Sequence, residues 1–268
     1  MPRLLHGSLT DLATQGYSHK YYVDATPAAV EVTGVGSVSR LLVGGLGKGG
    51  RGYYALDISS YQAATVAEAA SKVLWEFGQG RANMGYSFGK PLVVRTAAGW
   101  RVVVTSGYDN GVSTGGDGRG YVWVLDPANG TVLATIATGV GSTTSPSGLA
   151  HLSSLANTAP DALVRYVYGA DLLGNVWRFD LNNNNASKIA EARDATGAVQ
   201  PISSPPEIGP VSGSADKFFV YVGTGRYFSE QDVPGSLGAT AAATQLQSLY
   251  AYIEENNHQL MLRPRHKN

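Results

Sequence analysis

The stretch Gly174–Leu181 reads GNVWRFDL, and its pattern decides the fold. A glycine or polar step is followed by large apolar residues in alternation, and the run closes on an aspartate. The same register recurs at Gly52–Ile58 (GYYALDI), at Gly120–Pro127 (GYVWVLDP) and, with no aspartate at its end, at Leu249–Glu254 (LYAYIE). Upstream of each lies a β-rich run ending in glycine: Leu41–Gly45, Val102–Gly107, Tyr166–Gly169 and Phe218–Gly223. A further strand follows the first two, at Val73–Phe77 and Thr131–Ile136. Strand–turn–strand units repeating at tens of residues are the signature of propeller blades. The expectation is an all-β, β-propeller-like chain with about four recognisable blades, which could form an incomplete ring of a larger propeller.

The composition fits that reading. The 268 residues are 43% hydrophobic and 15% charged, enough to bury a substantial core. Thirty-four glycines and fifteen tyrosines suit tight turns between aromatic-rich strands. Twenty basic and twenty acidic residues balance, so no global field draws in nucleic acid or an anionic membrane. There is no cysteine, which excludes disulfides, thiolate metal sites and cysteine nucleophiles. No apolar run approaches the ~20 residues of a membrane-spanning helix. Met1–Ser8 lacks the apolar stretch of a signal peptide. The protein is therefore expected either to stay in the cytosol or to be a piece of a longer exported chain.

Four units are expected within one domain over 1–268: Tyr21–Phe77, Gly89–Thr138, Gly148–Ala192 and Pro201–Leu262. Asp57, Asp126 and Asp180 share one register at separations of 69 and 54 residues, so the units must carry insertions. Three stand out: Tyr108–Arg119, the turn-prone Asn182–Ala186, which is not expected in a core, and Ser229–Gln247. Alanine-rich Gln62–Lys72 predicts a short helix, and Ala239–Gln247 a helical turn or a disordered stretch. The basic tail Arg263–Lys267 reads as a frayed terminus.

With these residues the chain resembles the C-terminal propeller domain of the PilC/PilY family, the type IV pilus tip-associated biogenesis proteins and adhesins. The resemblance rests on His19–Pro27, Leu42–Asp57, Met84–Pro91, Ser106–Asn110, Tyr166–Leu181 and Gly223–Tyr227, in that order along the chain. It implies pilus biogenesis and pilus-tip adhesion by a non-catalytic binding scaffold. The implied partners are pilin subunits or other pilus assembly proteins, with a host-cell surface as a further one. The implied location is secreted, at the cell surface or outer membrane, as part of a longer exported chain. Two rival readings stand beside it: a quinoprotein dehydrogenase-like propeller enzyme, and a free-standing intracellular interaction propeller. The enzyme needs a complete ring around a central cofactor and a metal carboxylate, which this length and these strand-end aspartates do not suit.

The family often carries a calcium loop, D-x-[DN]-x-D-G-x-x-D, before the strand that begins here at Tyr166. A hard cation needs several oxygens at alternate positions and a glycine for the sharp turn. In the matching stretch, Asn157 and Asp161 could still offer oxygens, but Ala159 cannot. Ala162 replaces the glycine, and Arg165 puts a cation where a carboxylate would sit. No cofactor, catalytic residue or metal site is therefore expected, with Asn157 and Asp161 the residual ligands of a degenerate loop. Asp109, Asn110 and Asp117 could hold a cation loosely, but beside glycine they read better as turn formers. Asp57, Asp126 and Asp180 read as Asx-turn caps, because one position repeats from blade to blade. Leu46–Gly52 mimics a phosphate loop, yet it lacks the Ser or Thr after its lysine and a strand follows it. No two histidines stand at metal-ligand spacing, and no serine elbow occurs. Trp75, Trp123 and Trp177 recur at comparable blade positions, where rings fill the space between sheets, and Trp100 does not. Stacking on carbohydrate is open only to aromatics in the insertions, such as Tyr108 or Tyr227.

Overall fold

A computed structural model describes residues 10–60, 62–155, 163–214, 217–255 and 261–262. They form four antiparallel sheets of four strands. The first sheet holds β1 (Ala28–Val35), β2 (Val38–Gly45), β3 (Tyr53–Asp57) and β4 (Val73–Phe77). The second holds β5 (Leu92–Thr96), β6 (Gly99–Thr105), β7 (Tyr121–Leu125) and β8 (Val132–Ala137). The third holds β9 (His151–Ser154), β10 (Tyr166–Ala170), β11 (Asn175–Asp180) and β12 (Asn185–Glu191). The fourth holds β13 (Glu207–Pro210), β14 (Lys217–Gly223), β15 (Leu249–Glu255) and β16 (Met261–Leu262). Each sheet is a meander in chain order, so each is one blade of the expected propeller. The glycine-ended runs are second strands and the repeated motifs are third strands.

Alternation along the middle strands builds the cores. Val102, Val104, Trp123 and Leu125 of the second sheet pack towards the first, against Leu41, Val43 and Phe77. Their neighbours Val103, Val122 and Val124 pack the other way, with Trp177 and Phe179 of the third sheet. Val176 and Tyr168 face the fourth sheet, with Val220, Tyr250 and Tyr252. The central strands of the second and third sheets are thus buried on both faces, whereas β14 and β15 bury one face and leave Tyr221 and Leu249 exposed on the other. Burial on both faces explains why the motifs of β7 and β11 carry large side chains in succession rather than a clean apolar–polar alternation.

Two expectations need correction. Trp75 is buried, as are Trp123 and Trp177, but it lies on a fourth strand while they lie on third strands. Counting back from the closing aspartate, the residue of the first sheet equivalent to them is Tyr54. Trp75 instead donates its indole N–H to the Pro127 carbonyl of the second sheet at 2.9 Å. The second correction concerns Asn182–Ala186. The tight turn ends at Asn184 (φ 54°), and Asn185 already pairs with Asp180 in β12. Ala186 is drawn into the core between the second and third sheets. Within Gln62–Lys72 the helix α1 is shorter than expected, Val66–Ser71. Its N-cap is Thr65, whose Oγ1 accepts from Glu68 N at 3.1 Å, while Glu68 Oε2 reaches one residue further back than in a capping box and accepts from Ala64 N at 2.6 Å. The turn expected in Ala239–Gln247 is 3-10, at Ala241–Thr244.

Because each sheet is an up-and-down meander, its connections divide between two ends. The turns after β3, β7 and β11, which carry Asp57, Asp126 and Asp180, share one end with the β9–β10 connection. The β2–β3, β6–β7, β10–β11 and β14–β15 loops leave from the other, together with the links from sheet to sheet. Bridges between Tyr86 and Tyr108, and between Ile202 and Gly225, tie those links to those loops. The approach is close enough to require glycine at Gly107 (φ +68°), where a Cβ would stand 2.0 Å from the Tyr86 carbonyl oxygen.

Candidate functional site

At the aspartate end the three repeated carboxylates close the turns that follow them. Asp57 Oδ1 accepts from Ser59 N at 2.9 Å, and Asp126 Oδ1 from Ala128 N at 2.8 Å. Asp180 Oδ1 accepts from Asn182 N at 2.9 Å and from Asn183 N at 3.2 Å. These are Asx turns. Asp180 goes further: its other oxygen receives Arg165 Nη2 at 2.8 Å and Asn183 Nδ2 at 2.9 Å. Burial alone would raise the Asp180 carboxyl. The Arg165 guanidinium and the two turn N–H groups outweigh it and hold the carboxyl below the usual range. Arg165, the residue expected to spoil the calcium loop, is therefore committed to the neighbouring strand pair. Asn157 and Asp161 lie outside the described residues.

In the second cation candidate both carboxylates are internally committed, while Asn110 Oδ1 is buried with no hydrogen-bond partner among the described residues. Asp109 Oδ2 accepts from Arg51 at 2.6 Å and from Ser113 Oγ at 2.9 Å. Asp117 accepts from Arg119 N at 2.9 Å and from the Tyr121 hydroxyl at 2.7 Å. Asn110 Nδ2 donates to the Arg119 carbonyl at 2.6 Å. Among the described residues no three acidic or histidine side chains group as metal ligands would.

At the loop end an aromatic cup forms, with a cavity of about 650 Å³. Five separate segments build it. Lys20, Tyr21 and Tyr22 precede β1, and Lys48 and Gly49 come from the β2–β3 loop. Tyr86 and Phe88 come from the link between the first two sheets, Tyr108 follows β6, and Tyr227 and Phe228 open the β14–β15 insertion. Tyr108 is the floor. It is buried, its ring centroid lies 5.5 Å from Phe88 and 4.7 Å from Phe228, and its hydroxyl donates to the Ser203 carbonyl at 3.3 Å. Burial pushes its phenol well above the ordinary tyrosine range. His151 stands edge-on to the same ring at 6.2 Å, and burial lowers its imidazole pKa. Tyr227 forms the wall and is 70% exposed. The two insertion tyrosines singled out in the sequence thus meet in one place. Tyr21, Tyr86 and Phe88 carry no repeat signature and were not distinguishable from packing residues.

The cup's charge is one-sided. Lys20 and Lys48 are the charged side chains among its lining residues. Lys20 pairs with Asp11 at 2.6 Å. Lys48 has no carboxylate partner among the described residues and lies over the Tyr21 ring at 4.6 Å. Arg51 covers the Tyr86 ring at 4.6 Å.

One residue escaped the sequence reading although it stands inside a quoted motif. Asp171, in the β10–β11 turn, is fully buried. It accepts from Leu173 N, Asn175 N, Asn175 Nδ2, Trp177 Nε1 (2.9 Å) and Ser147 Oγ (3.2 Å). Burial wins over these donors and raises its carboxyl pKa. The knot fixes the turn that holds the third sheet against the second.

The comparisons with known proteins agree with this geometry. A family model described as the PilY1 beta-propeller domain matches residues 4–193. Type IV pilus biogenesis factor PilY1 of Pseudomonas aeruginosa strain UCBPP-PA14 is 31% identical, over 90% of this chain and 22% of that protein. A PilY1 homolog of Xylella fastidiosa strain Temecula1 is 35% identical, over 82% of this chain and 16% of that protein. The crystal structure of the Pseudomonas aeruginosa PilY1 C-terminal domain superposes with a TM-score of 0.69 at 29% identity, covering 87% of this chain and 49% of that one. The chain therefore spans about a fifth of the length of these curated relatives and half of the solved domain. With four antiparallel blades in the expected order and a family match along residues 4–193, this chain belongs to the PilY1 beta-propeller family.

Proposed function

We propose that this chain serves type IV pilus biogenesis and pilus-tip adhesion as a non-catalytic binding scaffold. The observation that carries the reading is the match, along more than four-fifths of the chain, to proteins named as type IV pilus biogenesis factors. A rigid blade stack with function in its loops supports it, since binding residues concentrate on loops held by a scaffold. The partners are pilin subunits or other pilus assembly proteins, with a host-cell surface as the adhesive target. The location is the cell surface, in association with the pilus or outer membrane, and no described helix is long and apolar enough to cross a membrane. Neither a cofactor nor a catalytic residue takes part. Deleting the coding region from its host should abolish surface pili and twitching motility, and re-expression should restore both. Normal piliation in the deletion strain would overturn the reading.

A further inference from the structure

Resting on the pilus-assembly reading, we infer that the aromatic cup at the loop end is a peptide site. It takes a segment of a partner protein with a large apolar side chain beside one or more carboxylates. Three observations point there. First, the cup exposes rings: Tyr227 is 70% exposed, Phe228 46% and Tyr21 44%. Large aromatics are enriched where proteins bind each other, because they bury much area with little loss of side-chain freedom. Their position on a rigid floor, with Tyr108 buried beneath Phe228 at 4.7 Å, keeps the cup preformed.

Second, the charge selects the ligand's sign. Lys20 is paired with Asp11, so the uncompensated lining charge is the ammonium of Lys48, exposed without a carboxylate partner among the described residues. An acidic group entering beside Tyr21 would meet that ammonium, and a basic segment would be repelled. Third, the lining favours a peptide over a saccharide. Sugar hydroxyls, which donate and accept together, are matched by planar amides that do the same, as in Asn and Gln, and by carboxylates that accept, as in Asp and Glu. The lining has none of these: it is tyrosine, phenylalanine, lysine and a single glycine. At about 650 Å³ the cavity has room for one large side chain and its flanking backbone.

The test uses the whole chain and a short fluorescein-labelled peptide of alternating aspartate and phenylalanine, read by fluorescence anisotropy. Binding is expected, and it should weaken as salt is raised. Replacing the phenylalanines by glycine, or the aspartates by lysine, should each weaken it at least about tenfold. Tyr227→Ala and Lys48→Glu should each do the same. Both positions are exposed, so unchanged circular dichroism and melting temperature should accompany the loss. An oligosaccharide of glucuronate, used as competitor, should not displace the peptide. Absence of peptide binding, binding indifferent to both variants, or displacement by the oligosaccharide would each overturn the proposal. Piliation in the deletion strain is a separate readout: loss of pili without peptide binding would remove the cup and leave the pilus reading standing.

Discussion

At one end of this propeller the polar groups point inward, and at the other the apolar ones stand open. Asp57, Asp126 and Asp180 turn their oxygens onto the backbone just after their own strands, so the same short device is repeated blade after blade. At the loop end nothing repeats. Five segments of different length and composition meet around Tyr108, and Tyr227 and Phe228 remain exposed above it. The repeated end stabilises each of the first three blades by local hydrogen bonds. The irregular end is free to differ, because the blades beneath it are already closed by their own cores.

The largest expected effect probes the point where the loop end reaches into the core. Trp177 fills the space between the second and third sheets and donates to Asp171. Trp177→Ala should cost about 3–5 kcal/mol in denaturant melts. Trp177→Phe keeps most of the ring but leaves the buried carboxylate one donor short, for about 1–3 kcal/mol. A loss below about 1 kcal/mol for the alanine variant would mean that the ring is not a core element.

Within the aspartate end, partner number should grade the cost. Asp180→Ala removes two turn bonds, an asparagine bond and the Arg165 pair, and should cost about 1–3 kcal/mol. The Arg165 share is small, because that side chain is 48% exposed and screened by solvent. Asp126→Ala removes one turn bond on a half-exposed side chain, and about 1 kcal/mol is the upper bound. Equal losses in chemical denaturation would break the assignment of the extra bonds to stability.

Acid should act with opposite sign at the two ends. The Asp57 and Asp180 carboxyls are held low, so their contribution is full above the unfolded value near ~3.9 and disappears as pH falls through the folded values. The Asp171 carboxyl is raised by burial, so its ionisation opposes folding as pH rises from ~3.9 through the folded value, and acidifying through that window relieves the penalty. Stability measured from pH 7 to 2 should therefore fall less steeply on the acid side in Asp180→Asn than in the parent. In Asp171→Asn the relief at mild acid should disappear. Identical profiles in all three proteins would contradict the assignment.

The smallest effects are expected at exposed groups. Tyr227→Ala should change stability by no more than about 0.5 kcal/mol, since its ring is open to water. A larger loss would make the cup's wall a structural element rather than a binding one. Calcium at millimolar concentration should leave the melting temperature where a chelator leaves it. Ala159 and Ala162 interrupt the ligand pattern around Asn157 and Asp161, and Arg165 is committed to Asp180. A stabilisation by calcium that Asp161→Ala abolishes would restore the loop as a metal site.

Much of the fold was legible because propeller blades are written in local chemistry. A glycine step, a strand and a closing aspartate identify β3, β7 and β11, and the glycine-ended runs identify the second strands. Strands at the blade margins were missed: β5 (Leu92–Thr96), although apolar, follows no glycine-and-aspartate signature, and β13 (Glu207–Pro210) and β16 (Met261–Leu262) are short. β9 (His151–Ser154) and β12 (Asn185–Glu191) carry serine, asparagine and lysine, and owe their strand state to pairing with β10 and β11 rather than to their own composition. Trp75 was misplaced for a related reason: composition shows that a tryptophan is buried, but not which strand of the blade carries it.

The sequence by itself determined the second and third strands of each blade, their order and the Asx turns, since strand period, glycine steps and side-chain caps act within a few residues. It also marked Tyr108 and Tyr227 as insertion aromatics. Only the tertiary structure decided that these two share a cup with Tyr21, Lys48 and Tyr86, and that Asp171 is a buried knot. Tyr21 and Tyr227 lie some 200 residues apart in the chain. Their meeting depends on how whole blades pack, and close packing between sheets is a property of the assembled cores, which no local pattern carries.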